Sequence, residues 1–104
     1  MKALGVIEVY SFTTSVVAAD LCAKAADELL TISDITGSFV LGKKGDKIYV
    51  SGRSIGDINV QIILEKLGGG GHLTFAGAQI AGITLEQAKI KLLNIIEEYS
   101  TGIE

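Results

Sequence analysis

The chain has no proline, and only one cysteine, one histidine and one arginine among its 104 residues. Each scarcity excludes something. A lone cysteine, Cys22, cannot form an internal disulfide, so the chain is not a stapled secreted scaffold. Its place in an alanine-rich helical stretch reads as a small buried hydrophobe. There is no proline, no low-complexity run and no evident repeat, so no internal domain boundary is visible and the length implies one domain. No apolar run approaches the ~20 residues of a membrane span, and Met1-Lys2-Ala3-Leu4-Gly5 meets Glu8 too soon for a signal-peptide core. The expectation is a soluble, cytoplasmic domain without direct membrane contact. The formal net charge of −3 lacks the basic face of a general nucleic-acid binder, although one local cationic cluster suffices for a nucleotide pocket.

The chemical inventory is equally thin. A two-metal phosphoesterase needs several carboxylates, usually with histidines, converging on its ions. Here the five aspartates, Asp20, Asp27, Asp34, Asp46 and Asp57, are scattered over separate predicted helices and turns, and His72 is the single histidine. No H-x-x-H, D-H-H or D-x-D motif exists, and no Cys/His set fits zinc. The sequence therefore predicts no catalytic residue, no metal ligand and no resident cofactor in this chain.

What is present is a regular alternation of strand and helix signals. Leu4 to Tyr10 reads as a strand rich in β-branching. Thr13-Thr14-Ser15 offers cap hydroxyls for a helix running to about Leu30, with Ala18, Leu21, Cys22, Ala25, Ala26, Leu29 and Leu30 on one stripe. Gly37–Leu41 and Lys47–Ser51 are short β-rich runs around a hairpin signal, Gly42-Lys43-Lys44-Gly45-Asp46, whose lysines read as a solvated turn. Asp57 is placed to cap a second helix, about Ile58 to Leu67. Ala76–Ile80 reads as another strand. Thr84-Leu85-Glu86-Gln87 matches a capping box, opening a last helix to about Tyr99 with Leu85, Ala88, Leu92, Ile95, Ile96 and Tyr99 inward. The order β-α-β-β-α-β-α implies a single α/β domain, a mixed sheet with helices packed on it.

Four consecutive glycines, Gly68-Gly69-Gly70-Gly71, followed by His72 stand out. Each costs about 0.5–1 kcal/mol of ordering entropy relative to alanine, and a left-handed helix cap needs only the first. The surplus predicts backbone that passes close to something or takes positive φ repeatedly. Successive exposed N–H groups in such a turn form an anion site, and His72 can donate to a phosphate. A tight turn with a satisfied histidine explains the same residues. No G-x-G-x-x-G opens a helix after a strand, and no G-K-[ST] follows, so neither a dinucleotide fingerprint nor a P-loop is present. Arg53, in Ser51-Gly52-Arg53-Ser54, lies just after the predicted strand, where a guanidinium can clamp phosphate oxygens. Asn59 can cap the second helix or hydrogen-bond a ligand.

Several segments, in order, resemble one family: Ala25-Ala26-Asp27-Glu28-Leu29-Leu30, Ser38-Phe39-Val40-Leu41, Ser51-Gly52-Arg53-Ser54, Ile58-Asn59-Val60-Gln61, Glu65-Lys66-Leu67-Gly68-Gly69-Gly70-Gly71-His72 and Ala76-Gly77-Ala78-Gln79. The family is the DHHA1 domain, the C-terminal substrate-binding domain of DHH phosphoesterases, and within it the membrane-anchored cyclic-di-AMP phosphodiesterases. The resemblance covers nearly the whole chain. It implies substrate-binding roles for Arg53, Asn59, Gly69, Gly70, Gly71 and His72. It also implies a DHH catalytic domain in the same parent chain, holding two manganese ions, and a substrate that is a cyclic dinucleotide or short oligonucleotide. The parent would carry this domain on the cytoplasmic side, and a RecJ-like or oligoribonuclease-type parent and a homodimer are both compatible with it. One departure is Gly52, where close relatives have alanine. The opening residues 1–8, with Ala18-Ala19-Asp20 and Lys24-Ala25-Ala26, also resemble the start of a bacterial microcompartment shell protein, a structural assembly module. That similarity stops near Leu30 and does not account for Glu65–His72.

Overall fold

The computed structural model describes residues 6–11, 18–29, 31, 37–55 and 58–100. The elements are β1 (Val6–Ser11), α1 (Ala18–Leu29), β2 (Gly37–Lys44), β3 (Lys47–Ser54), α2 (Val60–Glu65), β4 (Gly70–Gly71), β5 (Phe75–Ala81) and α3 (Leu85–Ser100). One mixed sheet has the order β1-β2-β3-β5-β4. β1 runs parallel to β2, joined through α1, and the remaining pairs are antiparallel. The expected mixed α/β architecture is present, with one strand more than the sequence predicts.

Side-chain alternation along the strands assigns the two faces. Phe39 and Leu41 of β2, Ile48 and Val50 of β3, and Ala76 of β5 are buried in the main core with Val60, Ile63 and Leu64 of α2 and Ala88, Leu92, Ile95 and Ile96 of α3. On the opposite face, Val40 packs with Cys22 and Ala26 of α1, with Tyr49 half-buried beside them. Ser38 ties the two elements together, its hydroxyl donating to the Ala26 carbonyl at 2.6 Å. Alanines on the inner stripe of α1 let the helix sit close to β2 and β3.

The boundaries differ from the sequence reading for identifiable reasons. β2 and β3 run on to Lys44 and Ser54 because their pairing continues through the polar residues. Only Gly45 and Asp46 form the turn, with Gly45 at φ +65°, so Lys43 and Lys44 belong to the ladder and are half-buried. Arg53 is accordingly a strand residue and does not follow the strand. The second helix is capped by Asn59, whose Oδ1 accepts from the Ile62 N–H at 3.2 Å. Asp57, the expected cap, lies outside the described residues, as do Leu4, Leu30 and Thr13-Thr14-Ser15. The predicted capping box of α3 is formed in both directions: Gln87 N–H donates to Thr84 Oγ1 at 3.0 Å and Thr84 N–H to Gln87 Oε1 at 2.8 Å.

Candidate functional site

The glycine run divides into four local situations. Gly68 takes φ +85°, and its N–H donates to the Glu65 carbonyl while that of Gly69 donates to Leu64, each at 3.0 Å. This double bond closes the end of α2 in a Schellman motif. Gly69 lies so near β5 that a Cβ would fall against the Gly77 carbonyl oxygen and sit 2.6 Å from the Ala78 Cβ. Gly71, at φ +154°, is equally close to β5, where a Cβ would meet the Phe75 carbonyl oxygen and Ala76. Gly70 has open space around its Cβ position and no left-handed φ. Two of the four are thus required by close packing against β5 and Gly68 by its left-handed φ. Gly70 and Gly71 form β4, an edge strand absent from the predicted order because glycine carries no β signal.

A two-residue turn, Leu73-Thr74, returns the chain into β5, and the His72 N–H donates to the Phe75 carbonyl at 2.6 Å. The turn is held from below. The Ser54 and Val60 N–H groups donate to the carbonyls of Thr74 and Leu73 at 2.9 and 3.1 Å. Ser54 is buried, and its hydroxyl donates to the Ile58 carbonyl at 2.6 Å. The hairpin that presents His72 is therefore fixed to the end of β3 and the start of α2.

Register then brings the predicted site residues together. Arg53 of β3 lies opposite Phe75 of β5, and Phe75 lies beside His72, so the three form one row across the sheet. The His72 and Phe75 rings stack with centroids 4.4 Å apart and planes inclined by 26°. The Arg53 Cζ stands 5.9 Å from the Phe75 centroid, within cation–π range. Arg53 Nε donates to Asp27 Oδ1 of α1 at 2.8 Å, and Nη1 to the Gly52 carbonyl at 2.9 Å. Those two bonds fix the guanidinium plane and leave its Nη2 donors without a partner among the described residues. Gly52 itself makes room for the core, since a Cβ there would meet the Phe39 ring at 3.1 Å.

Among the described residues α1 packs over β2 and β3, so Phe75 and His72 are exposed while the Arg53 side chain, beside Asp27 of α1, is only 18% exposed. On β5 every residue of that face, Phe75, Gly77, Gln79 and Ala81, is exposed, while Ala76 between them is buried. Gly77 pairs with Ser51 on one side and Gly70 on the other. The strip next to the Arg53–Phe75–His72 row thus has a floor with almost no side chains. The N–H groups of Gly68, Gly69 and His72 are all committed to protein carbonyls. Those three amides are therefore not free to cradle an anion, and the polar side-chain groups at this row are the Arg53 guanidinium and the His72 ring. Asn59 does not join them: its Oδ1 is used as the helix cap and its N–H donates to the Tyr99 hydroxyl at 2.9 Å.

Sequence reasoning singled out Arg53, Gly69–Gly71 and His72, which the fold brings near one another, but not Phe75, Asp27 or Ser54. Phe75 and Asp27 reach the site through cross-strand register and helix–sheet packing, for which a single sequence carries no signal. Among the described residues no group of three or more His, Cys, Asp or Glu side chains could hold a metal ion. The site residues do not fit a manganese centre. Nor is any helix among the described residues long and apolar enough to cross a membrane.

The DHHA1 domain model matches residues 8–101, so the chain belongs to the DHHA1 family. Among curated relatives, the chain is 49% identical over 83 residues to the cyclic-di-AMP phosphodiesterase GdpP of Geobacillus thermodenitrificans, covering 79% of this chain and 13% of that protein. It is 42% identical over 64 residues to the bifunctional oligoribonuclease and PAP phosphatase NrnA of Thermus thermophilus, covering 62% of this chain and 20% of the relative. The chain thus spans between an eighth and a fifth of their lengths. Its fold also matches the C-Ala domain of Aquifex aeolicus alanyl-tRNA synthetase, with TM-score 0.69 at 20% identity over 90% of this chain and 95% of that one. The family match begins at Glu8, so it takes in Ala18-Ala19-Asp20 and Lys24-Ala25-Ala26 of the segments that resemble a shell protein, and not residues 1–7.

Proposed function

We propose that this chain is the substrate-positioning domain of a manganese-dependent DHH-type phosphodiesterase acting on cyclic di-AMP or short oligonucleotides. The observation that carries the reading is the row in which exposed Phe75 and His72 adjoin the largely buried Arg53, beside the side-chain-free Gly70–Gly77 pair. The names of the relatives supply the substrate class. In this reading Arg53 and His72 hold a phosphate that is not cleaved, and Gly70 lets the ligand approach the backbone. The scissile phosphate is then presented to a catalytic domain outside these residues. Positioning of that kind can supply several kcal/mol of a reaction barrier, up to roughly 7–11 kcal/mol. Asp27 sets the guanidinium plane of Arg53 and touches no ligand.

In the full-length protein carrying this domain, His72→Ala is expected to lower kcat/KM at least about tenfold with an unchanged melting temperature; tenfold is roughly 1.4 kcal/mol of lost transition-state binding. Unchanged kinetics in that variant would contradict the reading. The chain by itself, supplied with manganese, is expected to show no phosphodiesterase turnover.

A further inference from the structure

His72 is the single histidine of the chain and stands exposed just before the Leu73-Thr74 turn. Its backbone is tied down, since its N–H donates to the Phe75 carbonyl. Its imidazole has no such tether. Among the described residues the ring makes no hydrogen bond or ion pair, and the contact that holds it is the stack on Phe75. We propose that Phe75 is a positioning residue, whose phenyl ring sets the plane of the His72 imidazole before a phosphate arrives. The inference rests on the functional reading above and adds a residue that acts through His72.

The first support is geometric. The two ring centroids are 4.4 Å apart and the planes are inclined by 26°, a near-parallel stack of the kind that contributes beyond mere burial. An exposed side chain otherwise samples several rotamers, and it loses that freedom when a ligand binds. An imidazole already laid flat on a neighbour has lost it beforehand, so its ring nitrogens are aimed at no further entropic cost. The second support is that Phe75 has no part in the core. It is 46% exposed and belongs to neither buried cluster nor to the residues packed on them. The aromatic contacts of its ring are instead to His72 and Arg53.

The third support is the frame on which Phe75 stands. It is the first residue of β5 and pairs with Arg53 of β3, so its position is set by strand register. Arg53 needs little from it: the guanidinium is already fixed by Asp27 and the Gly52 carbonyl, and its Cζ lies 5.9 Å from the phenyl centroid, near the outer limit of a cation–π contact. The imidazole, in contrast, takes its orientation from the phenyl ring. Stacking therefore references His72 to the strand that neighbours Arg53. Two groups that are to meet one phosphate need such a fixed relation, because small misplacements cost rate.

The test is a double-mutant cycle in the full-length protein carrying this domain, with manganese and cyclic di-AMP. Phe75→Ala and Phe75→Leu are each expected to lower kcat/KM by about three- to tenfold, the worth of one aromatic pair, and Phe75→Tyr to restore it. In the His72→Ala background, Phe75→Ala should change kcat/KM by less than about twofold, since its route of action is gone. In NMR spectra of this chain, the ring current of Phe75 should move the His72 ring protons upfield in the wild type and in Phe75→Tyr, and not in Phe75→Leu. If Phe75→Ala costs the same factor with and without His72, or if the His72 ring protons are the same in wild type and Phe75→Leu, the proposal is wrong. If His72→Ala is slow while Phe75→Ala and Phe75→Leu are not, it is wrong as well; in each of these cases the role of His72 stands. If His72→Ala itself leaves kcat/KM unchanged, the functional reading fails and the proposal fails with it.

Discussion

At the scale of single residues, the glycine run shows how one repeated letter can serve different physical needs. Gly69 and Gly71 are pressed against the β5 backbone, whereas Gly70 has room for a side chain. Gly69→Ala and Gly71→Ala should each destabilise the domain by about 2 kcal/mol or more through backbone collision. Gly70→Ala should be neutral or slightly stabilising, by up to about 1 kcal/mol. Thermal melts of the three variants check this ordering. If Gly70→Ala nonetheless weakens ligand binding, the residue's role is ligand approach and not folding. Cys22 gives a second residue-scale prediction. Burial pushes its thiol up from 9.0 to about 11. As pH rises past 9 the unfolded chain therefore loses this proton before the folded one does, and stability falls until about pH 11. Between about pH 7.5 and about pH 10 the loss should be about 1 kcal/mol, and the pH slope should be smaller by that amount in Cys22→Ala. Urea midpoints at the two pH values measure it.

At the scale of elements, what the sequence made legible was whatever local pattern encodes. The capping box at Thr84 and Gln87 and the inward face of α3 were readable because cap chemistry and helical periodicity lie within a few residues of each other. Thr84→Ala should cost about 1 kcal/mol, since it removes one of the two reciprocal bonds; a helix-localised rise in amide exchange over residues 85–88 would accompany it. β4 was not readable. Its two glycines form a strand only because the Leu73-Thr74 turn and the close approach to β5 hold them there, and both are tertiary facts. The sequence offered both Asp57 and Asn59 as caps of the second helix, and it is Asn59 whose Oδ1 accepts from the Ile62 N–H. Arg53 was placed just after the Lys47–Ser51 strand, where the β-rich run gives way to Gly52 and Ser54. Their real reasons, the Ser54 bonds to the hairpin and the space Gly52 leaves for Phe39, lie across the fold.

At the scale of the whole molecule, function follows from an imbalance in coverage. Among the described residues α2 and α3 pack on one face of the sheet, while α1 packs over β2 and β3 on the other. Phe75 and His72 lie exposed beyond α1, and Arg53 lies at its margin, 18% exposed. The anionic partner of Arg53, Asp27, sits on the rim of α1 and is largely exposed. Asp27→Asn should therefore change stability by less than about 1 kcal/mol, while loosening the guanidinium and weakening phosphate binding, a split that paired melts and titrations would show. In the proposed reading this face is one half of a two-domain cleft, and affinity near 1 mM, about −4 kcal/mol, is the expected range for the chain alone. The most direct test is an amide-shift titration of this chain with linear pApA beside plain phosphate. The account predicts the largest shifts at Arg53, Gly70, Gly71, His72 and Phe75, greater for the dinucleotide than for phosphate. An absence of shifts at about 10 mM pApA, a concentration well above that expected Kd, or shifts confined to the outer face of α3, would contradict it.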